Sequence, residues 1–185
     1  MDFKSFATNY INNLHQLLLT IDLEEYEAFI TLLKNSTSRI YIIGNGGSAS
    51  TASHMANDLG IGLKRRDKIA LDTVSLSDNI SVFSALANDI GYENVFYMQL
   101  KHVIKPEDTL IAISCSGNSP NIIKAVDYAK EVGCTIVGLS GFDGGKLKNL
   151  SDINLHIETD KNAYGLVEDI HMIINHIIYS YFQKD

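Results

Sequence analysis

Two segments of the chain combine serine, glycine and asparagine in a way that suits an anion: Gly44-Asn45-Gly46-Gly47-Ser48 and Ser114-Cys115-Ser116-Gly117-Asn118-Ser119. Glycines let backbone N–H groups approach a ligand closely and tolerate positive φ. Ser114, Ser116 and Ser119 offer hydroxyls. Ser48 is placed to cap a following helix whose N-terminus carries partial positive charge. Hydroxyls and amides bind phosphate without a lysine, which suits a reversible site for a small phosphorylated metabolite. Glycine and serine also serve plain turns and caps, so either loop alone leaves both readings open; the two together favour anion binding. No GK[ST] completes a Walker loop, and the third glycine of a dinucleotide fingerprint is missing, so no nucleotide cofactor is expected.

A second set of residues can move protons or hold a metal. His54 and Asp58 are four apart on the helix expected after the first loop, so they share a face. That spacing also suits an ordinary surface hydrogen bond. Near the C-terminus, Glu168, His171 and His176 are available, with His176 rotated by roughly 80° from Glu168 on an ideal helix. Glu168 and Asp169 are equally compatible with acids favoured by a helix dipole in the first turn. His171 reads as structural or interfacial, and His102 and His156 have no motif around them.

Elements must position these groups. Apolar residues at Phe6, Tyr10, Ile11, Leu14, Leu17 and Leu18 mark one face of a helix over 3–20, and a second helix fits 23–35 with Asp22 as cap. The period then changes. Short apolar runs at 39–43, 69–71, 109–113, 135–139 and 153–156 read as buried strands, separated mostly by helical stretches at 48–60, 78–87, 92–101, 119–132 and 163–183. Strands apolar throughout and alternating with helices predict a parallel five-stranded sheet covered on both faces. Ligands in such sheets bind at the carboxyl ends of the strands, near a switch point, where both serine-rich loops fall.

With 185 residues, 45% apolar and 20% charged, the chain fits a single domain with its own core. Its net charge of −7 argues against a general nucleic-acid surface, and the short basic cluster Lys64-Arg65-Arg66 reads as a solvated loop. Two cysteines, no signal pattern and no apolar run near the roughly 20 residues that span a bilayer predict a soluble cytoplasmic protein with no membrane partner.

The motifs Gly44-Asn45-Gly46-Gly47-Ser48 with His54 downstream, Ala87-Asn88-Asp89, Ser114 to Ser119 and Gly141-Phe142-Asp143-Gly144-Gly145-Lys146 resemble the SIS (sugar isomerase) domain family. Within it the chain is similar to the phosphoheptose isomerases, from about residue 5 to the C-terminus. The resemblance implies a flavodoxin-like αβα sandwich over 37–185, with helices in 1–36 building a homotetramer whose active sites lie at interfaces. It implies isomerisation of sedoheptulose 7-phosphate to D-glycero-D-manno-heptose 7-phosphate through an enediol(ate). Asn45, Gly46, Gly47 and Ser48, with Asn88 and Asp89, would contact the sugar, and Ser114, Cys115, Ser116 and Ser119 would line the phosphate site. Asp58 and His176 match the acid–base pair, and His54, Asp58, Glu168 and His176 match positions that bind Zn²⁺ in some members.

The sequence departs from the family at three places: Asp for glutamate at 58, Glu for glutamine at 168, and Gly62 where arginine is usual. An aspartate is one methylene short, and misplacement of about 1 Å can cost roughly 10²-fold in rate. Two other readings remain open: action on a different ketose phosphate for surface polysaccharide, and a non-catalytic SIS protein that binds a replication initiator.

Overall fold

The computed structural model describes residues 2–184. Two helices come first, α1 (Phe3–Leu18), capped by Asp2, and α2 (Leu23–Asn35), capped by Asp22 as its sequence suggested. Five strands follow: β1 (Arg39–Gly44), β2 (Asp72–Ser75), β3 (Thr109–Ser114), β4 (Thr135–Ser140) and β5 (Ile153–His156). All pair in parallel in the order β2-β1-β3-β4-β5, which is the doubly wound, flavodoxin-like order.

Successive residues of each strand face opposite sides, so each apolar strand feeds two cores. Ile40, Ile42, Ile111, Val137 and Leu155 pack with α2, α3 (Gly47–Asn57) and α8 (Tyr164–Lys184), through Phe29, Leu33, Met55, Ile170, Ile174 and Ile178. Tyr41, Leu110, Ala112 and Ile136 pack on the other side. There they meet α5 (Tyr97–Leu100), α6 (Pro120–Val132) and α7 (Gly145–Leu150) through Leu100, Ile122, Val126 and Leu147. The remaining helix, α4 (Ile80–Ile90), and a 3₁₀ turn at Tyr92–Asn94 connect β2 to α5.

Three expectations need correction. The second strand lies at 72–75 rather than 69–71, because Ile69 and Leu71 pack on the core as the chain approaches the sheet. The helix expected over 48–60 is α-helical only to Asn57 and continues as a π-helical turn, Asp58–Gly62. The helix expected over 92–101 is instead a 3₁₀ turn, Tyr92–Asn94, followed by the short α5, Tyr97–Leu100; in addition, Gly145–Leu150 forms a short helix that the sequence did not announce. By contrast α1 has no buried residue; Phe3, Phe6 and Ile11 are exposed. Among the described residues, no helix is long and apolar enough to cross a membrane.

Candidate active site

The strand order reverses between β1 and β3, and the two serine-rich loops leave the sheet side by side at that point, where Gly44 pairs with Ile113. The first loop enters α3. Its N-cap is Gly46, which has no side chain to close the helix end. Ser48 therefore does not cap; it lies inside the first turn, buried, with Oγ 3.9 Å from Sγ of Cys115. The second loop enters α6 through Ser119, whose hydroxyl also makes no cap bond and instead lies 3.3 Å from Oγ of Ser114. The hydroxyls are thus not used up by the helix starts, and the reading of these residues as mere caps loses its basis.

A cleft of about 140 Å³ lies between the loops, lined by Asn45, Ser48, Ser114, Cys115, Ser116, Ser119, Tyr164 and Glu168. Its walls are braced. Asn45 and Asn121 exchange reciprocal amide hydrogen bonds of 2.9 Å, and the Tyr92 hydroxyl donates to Oδ1 of Asn45 at 2.9 Å. The segment 141–146 buttresses the second loop: the Gly141 N–H donates to the Cys115 carbonyl and the Lys146 N–H to Oδ1 of Asn118. Gly117 makes this contact possible, since at φ +61° a Cβ would collide with the carbonyl of Gly144. Burial pushes the Cys115 thiol up to about 11, so it lines the cleft as a neutral group.

Glu168 occupies the other wall. Its carboxylate rests directly on Gly47, so closely that a Cβ at that position would collide with it. The acid therefore sits at the start of α3, where the partial positive charge of the helix end favours it.

The proton-transfer candidates gather elsewhere on the same helix. His54 lies seven residues beyond Gly47, about 10 Å along the axis. Its Nε2 is 3.1 Å from Oδ2 of Asp58, the first residue of the π-helical turn. From α8, His176 brings Nε2 to 3.1 Å from Nε2 of His54 and 4.0 Å from Oδ2 of Asp58. Asp58 is buried, whereas both imidazoles are about half exposed. Oδ2 of Asp58 accepts a 2.8 Å bond from Nδ2 of Asn175, and Oδ1 a longer one, 3.3 Å, from Nδ2 of Asn57. Despite its shorter side chain, Asp58 reaches the histidines.

These three donors fit a metal. Tetrahedral ligands about 2.0 Å from Zn²⁺ stand roughly 3.3 Å apart; two of the separations found are 3.1 Å, close to this, and the third, 4.0 Å, is wider. His54, Asp58 and His176 form a compact donor group; Glu168, the fourth residue of the expected set, is not part of it.

Other candidates lie apart. Asn88 and Asp89 sit exposed at the end of α4, bonded to each other at 2.8 Å, and do not line the cleft of one chain. His171 is fully buried with Nε2 3.4 Å from the Ser140 carbonyl, and burial pushes its pKa down to about 4. Sequence reasoning missed Asn121, Tyr164 and Asn175. Only Asn175 left a trace, as an amide within an otherwise apolar helical stripe.

Comparison with known proteins agrees with this fold. A family profile described as SIS domain matches residues 9–141. The phosphoheptose isomerase of Helicobacter pylori (strain P12) is 42% identical over 149 residues, covering 80% of this chain and 76% of that protein. That of Trichlorobacter lovleyi is 39% identical over 141 residues, covering 76% and 70%. Among solved structures, phosphoheptose isomerase GmhA from Neisseria gonorrhoeae superposes with a TM-score of 0.83 at 26% identity, covering 98% of this chain and 97% of that one. A phosphoheptose isomerase from Francisella tularensis shares the fold over the full length of both chains, with a TM-score of 0.85 at 22% identity.

Proposed function

The chain belongs to the SIS-domain family and, within it, to the phosphoheptose isomerases, and from that premise we propose that it interconverts sedoheptulose 7-phosphate and D-glycero-D-manno-heptose 7-phosphate. The observation that carries this reading is the convergence of His54, Asp58 and His176 two helical turns from a cleft lined by serine hydroxyls. Ser114, Ser116 and Ser119 take the phosphate. Asn45, Gly46, Gly47, Ser48 and Glu168 contact the sugar.

Asp58 takes a proton from C1 of the ketose and returns one at C2 after the enediol forms. Oδ1, which keeps only the 3.3 Å bond from Asn57, is the oxygen left for that proton. His176, half exposed at the cluster's edge, moves the proton between O1 and O2. His54, Asp58 and His176 would hold a zinc ion, which supplies Lewis-acid polarisation of the carbonyl when bound.

The site is open on one side. His176 borders a mostly apolar groove with Ile173, Ile177, Ser180, Tyr181 and Lys184, and α1 presents Phe3, Phe6 and Ile11 to solvent. We infer that further copies of the chain cover these faces in a cytoplasmic homotetramer and bring Asn88 and Asp89 to a neighbouring cleft. A monomer by light scattering at micromolar concentration contradicts that assembly.

Turnover in D₂O tests the chemistry. Sedoheptulose 7-phosphate should yield aldose carrying deuterium at C2, and Asp58→Asn should lower kcat by about 10² to 10⁴-fold. Absence of conversion with added zinc, while the sugar phosphate still binds, sinks the proposal. One observation favours a second substrate reading: the Glu168 carboxylate inside the cleft alters what the sugar meets there. A panel of pentulose, hexulose and heptulose phosphates separates the two.

A further inference from the structure

The side chain of Asn175 is fully buried, on the stripe of α8 that Val167, Ile170, Ile174, Ile178 and Phe182 contribute to the core. That register calls for an apolar residue. An amide placed there must satisfy two donor hydrogens and an acceptor. Nδ2 donates to Oδ2 of Asp58 at 2.8 Å, but Oδ1 is buried with no partner among the described residues. The amide's orientation follows from its neighbour, since an ionised carboxylate only accepts and must face the nitrogen. An orphaned carbonyl oxygen in a core is a cost that calls for an explanation, and the other end of the same amide supplies it.

Oδ2 of Asp58 is also the oxygen that faces both imidazoles, at 3.1 Å and 4.0 Å. An aspartate has two side-chain torsions, and among the described residues its only other amide contact is the 3.3 Å bond from the adjacent Asn57 to Oδ1. Rotation about either torsion would carry Oδ2 out of the cluster. The bond from Asn175, which spans from α8 to the π-helical turn, blocks that rotation and ties Asp58 to the helix that carries His176.

We propose that Asn175 is a positioning residue, whose amide holds Oδ2 of Asp58 toward His54 and His176 and so makes a short acid serviceable in this site. The inference rests on the reading of Asp58 as the proton-transferring and metal-holding carboxylate.

Asn175→Leu in the full chain tests it. Loss of an outer partner of this kind lowers activity or metal affinity by about 10- to 100-fold. The expected result is therefore a kcat reduced by that factor, with KM for sedoheptulose 7-phosphate within about twofold of wild type. Zinc affinity by calorimetry should weaken in parallel. The Tm should hold or rise, because the orphaned amide is gone. Introducing Asp58→Glu into the same background should restore most of the lost kcat, since the longer acid reaches the histidines without the tether.

A kcat within about twofold of wild type overturns the proposal; so does a joint fall of kcat and Tm that Asp58→Glu does not rescue. Asp58→Asn separates the two readings. If Asp58→Asn keeps its kcat, the role of Asp58 itself is wrong, and the positioning role goes with it. If Asp58→Asn abolishes turnover while Asn175→Leu leaves it intact, only the positioning role is wrong. Should Asn175→Leu fail to fold, Asn175→Ala carries the same comparison and the same rescue.

Discussion

Nε2 of His54 and Nε2 of His176 face each other at 3.1 Å across two helices, with their rings inclined at 76°. Two neutral imidazoles cannot both donate or both accept through the same pair of atoms, so either one carries the shared proton or a cation lies between them. Zinc is the expected occupant. His54→Ala and His176→Ala should each weaken zinc binding by at least about tenfold, read by competition with a chromophoric chelator. Stripping the metal should lower turnover and re-adding it should restore turnover. Unchanged zinc affinity in both variants contradicts the site.

The serine loops should act on binding rather than on chemistry. Ser116→Ala and Ser119→Ala each remove a hydroxyl from the phosphate cleft, and a hydrogen bond to a charged group is worth about 1.5–3 kcal/mol. KM should rise about 10- to 100-fold per variant with kcat little changed. Steady-state kinetics reads both; a fall in kcat at constant KM would place these hydroxyls at the reacting carbons instead.

Glu168 puts a negative charge on the wall of the same cleft. Like charges a few ångströms apart repel by several kcal/mol at the dielectric of a protein surface. Glu168→Gln should therefore tighten inorganic phosphate binding by at least about tenfold at low ionic strength, and the gain should shrink as salt screens it. Calorimetric titration at two salt concentrations checks the effect. Unchanged phosphate affinity means that the anion binds beyond the reach of Glu168.

His171 makes the fold sensitive to acid. Burial is the main cause that lowers its pKa from 6.5 to about 4, with the His156 ring adding to it and the Ser140 carbonyl opposing. Protons therefore bind the unfolded chain first. Stability is complete above pH 6.5, declines as pH falls towards about 4, and levels off below. The loss totals on the order of 3 kcal/mol. Urea midpoints across that window should fall in wild type and stay flatter in His171→Gln.

The strands that were legible are β1, β3 and β4, which are buried on both faces, and the edge strand β5, found at Ile153–His156 as expected. The edge strand β2 was displaced because Asp72-Thr73-Val74-Ser75 is half solvated and carries no such run, while the more apolar Ile69-Ala70-Leu71 packs as an approach segment. The π-helical turn left no periodicity to read. Gly60 allows it to lie against Thr73 of β2, whose hydroxyl bonds the Ala56 carbonyl at 2.7 Å, a tertiary contact. His54 and Asp58 were legible because helical spacing joins them. The bond between Asn175 and Asp58 joins residues 117 apart in sequence, and no local pattern encodes it. Likewise, spacing alone could not tell whether Glu168 would join the histidines or the phosphate loops.

The distance from Gly47 to His54 is set by α3, a rod that cannot stretch: two turns, about 10 Å. In the proposed reading the phosphate is moored in the serine cleft beside the start of α3 and the reacting carbons lie at Asp58, so the helix works as a ruler for the sugar between them. Substrate length is then read by backbone geometry rather than by any side chain. Ketose phosphates with fewer carbons could fill the anchor and still stop short of Asp58.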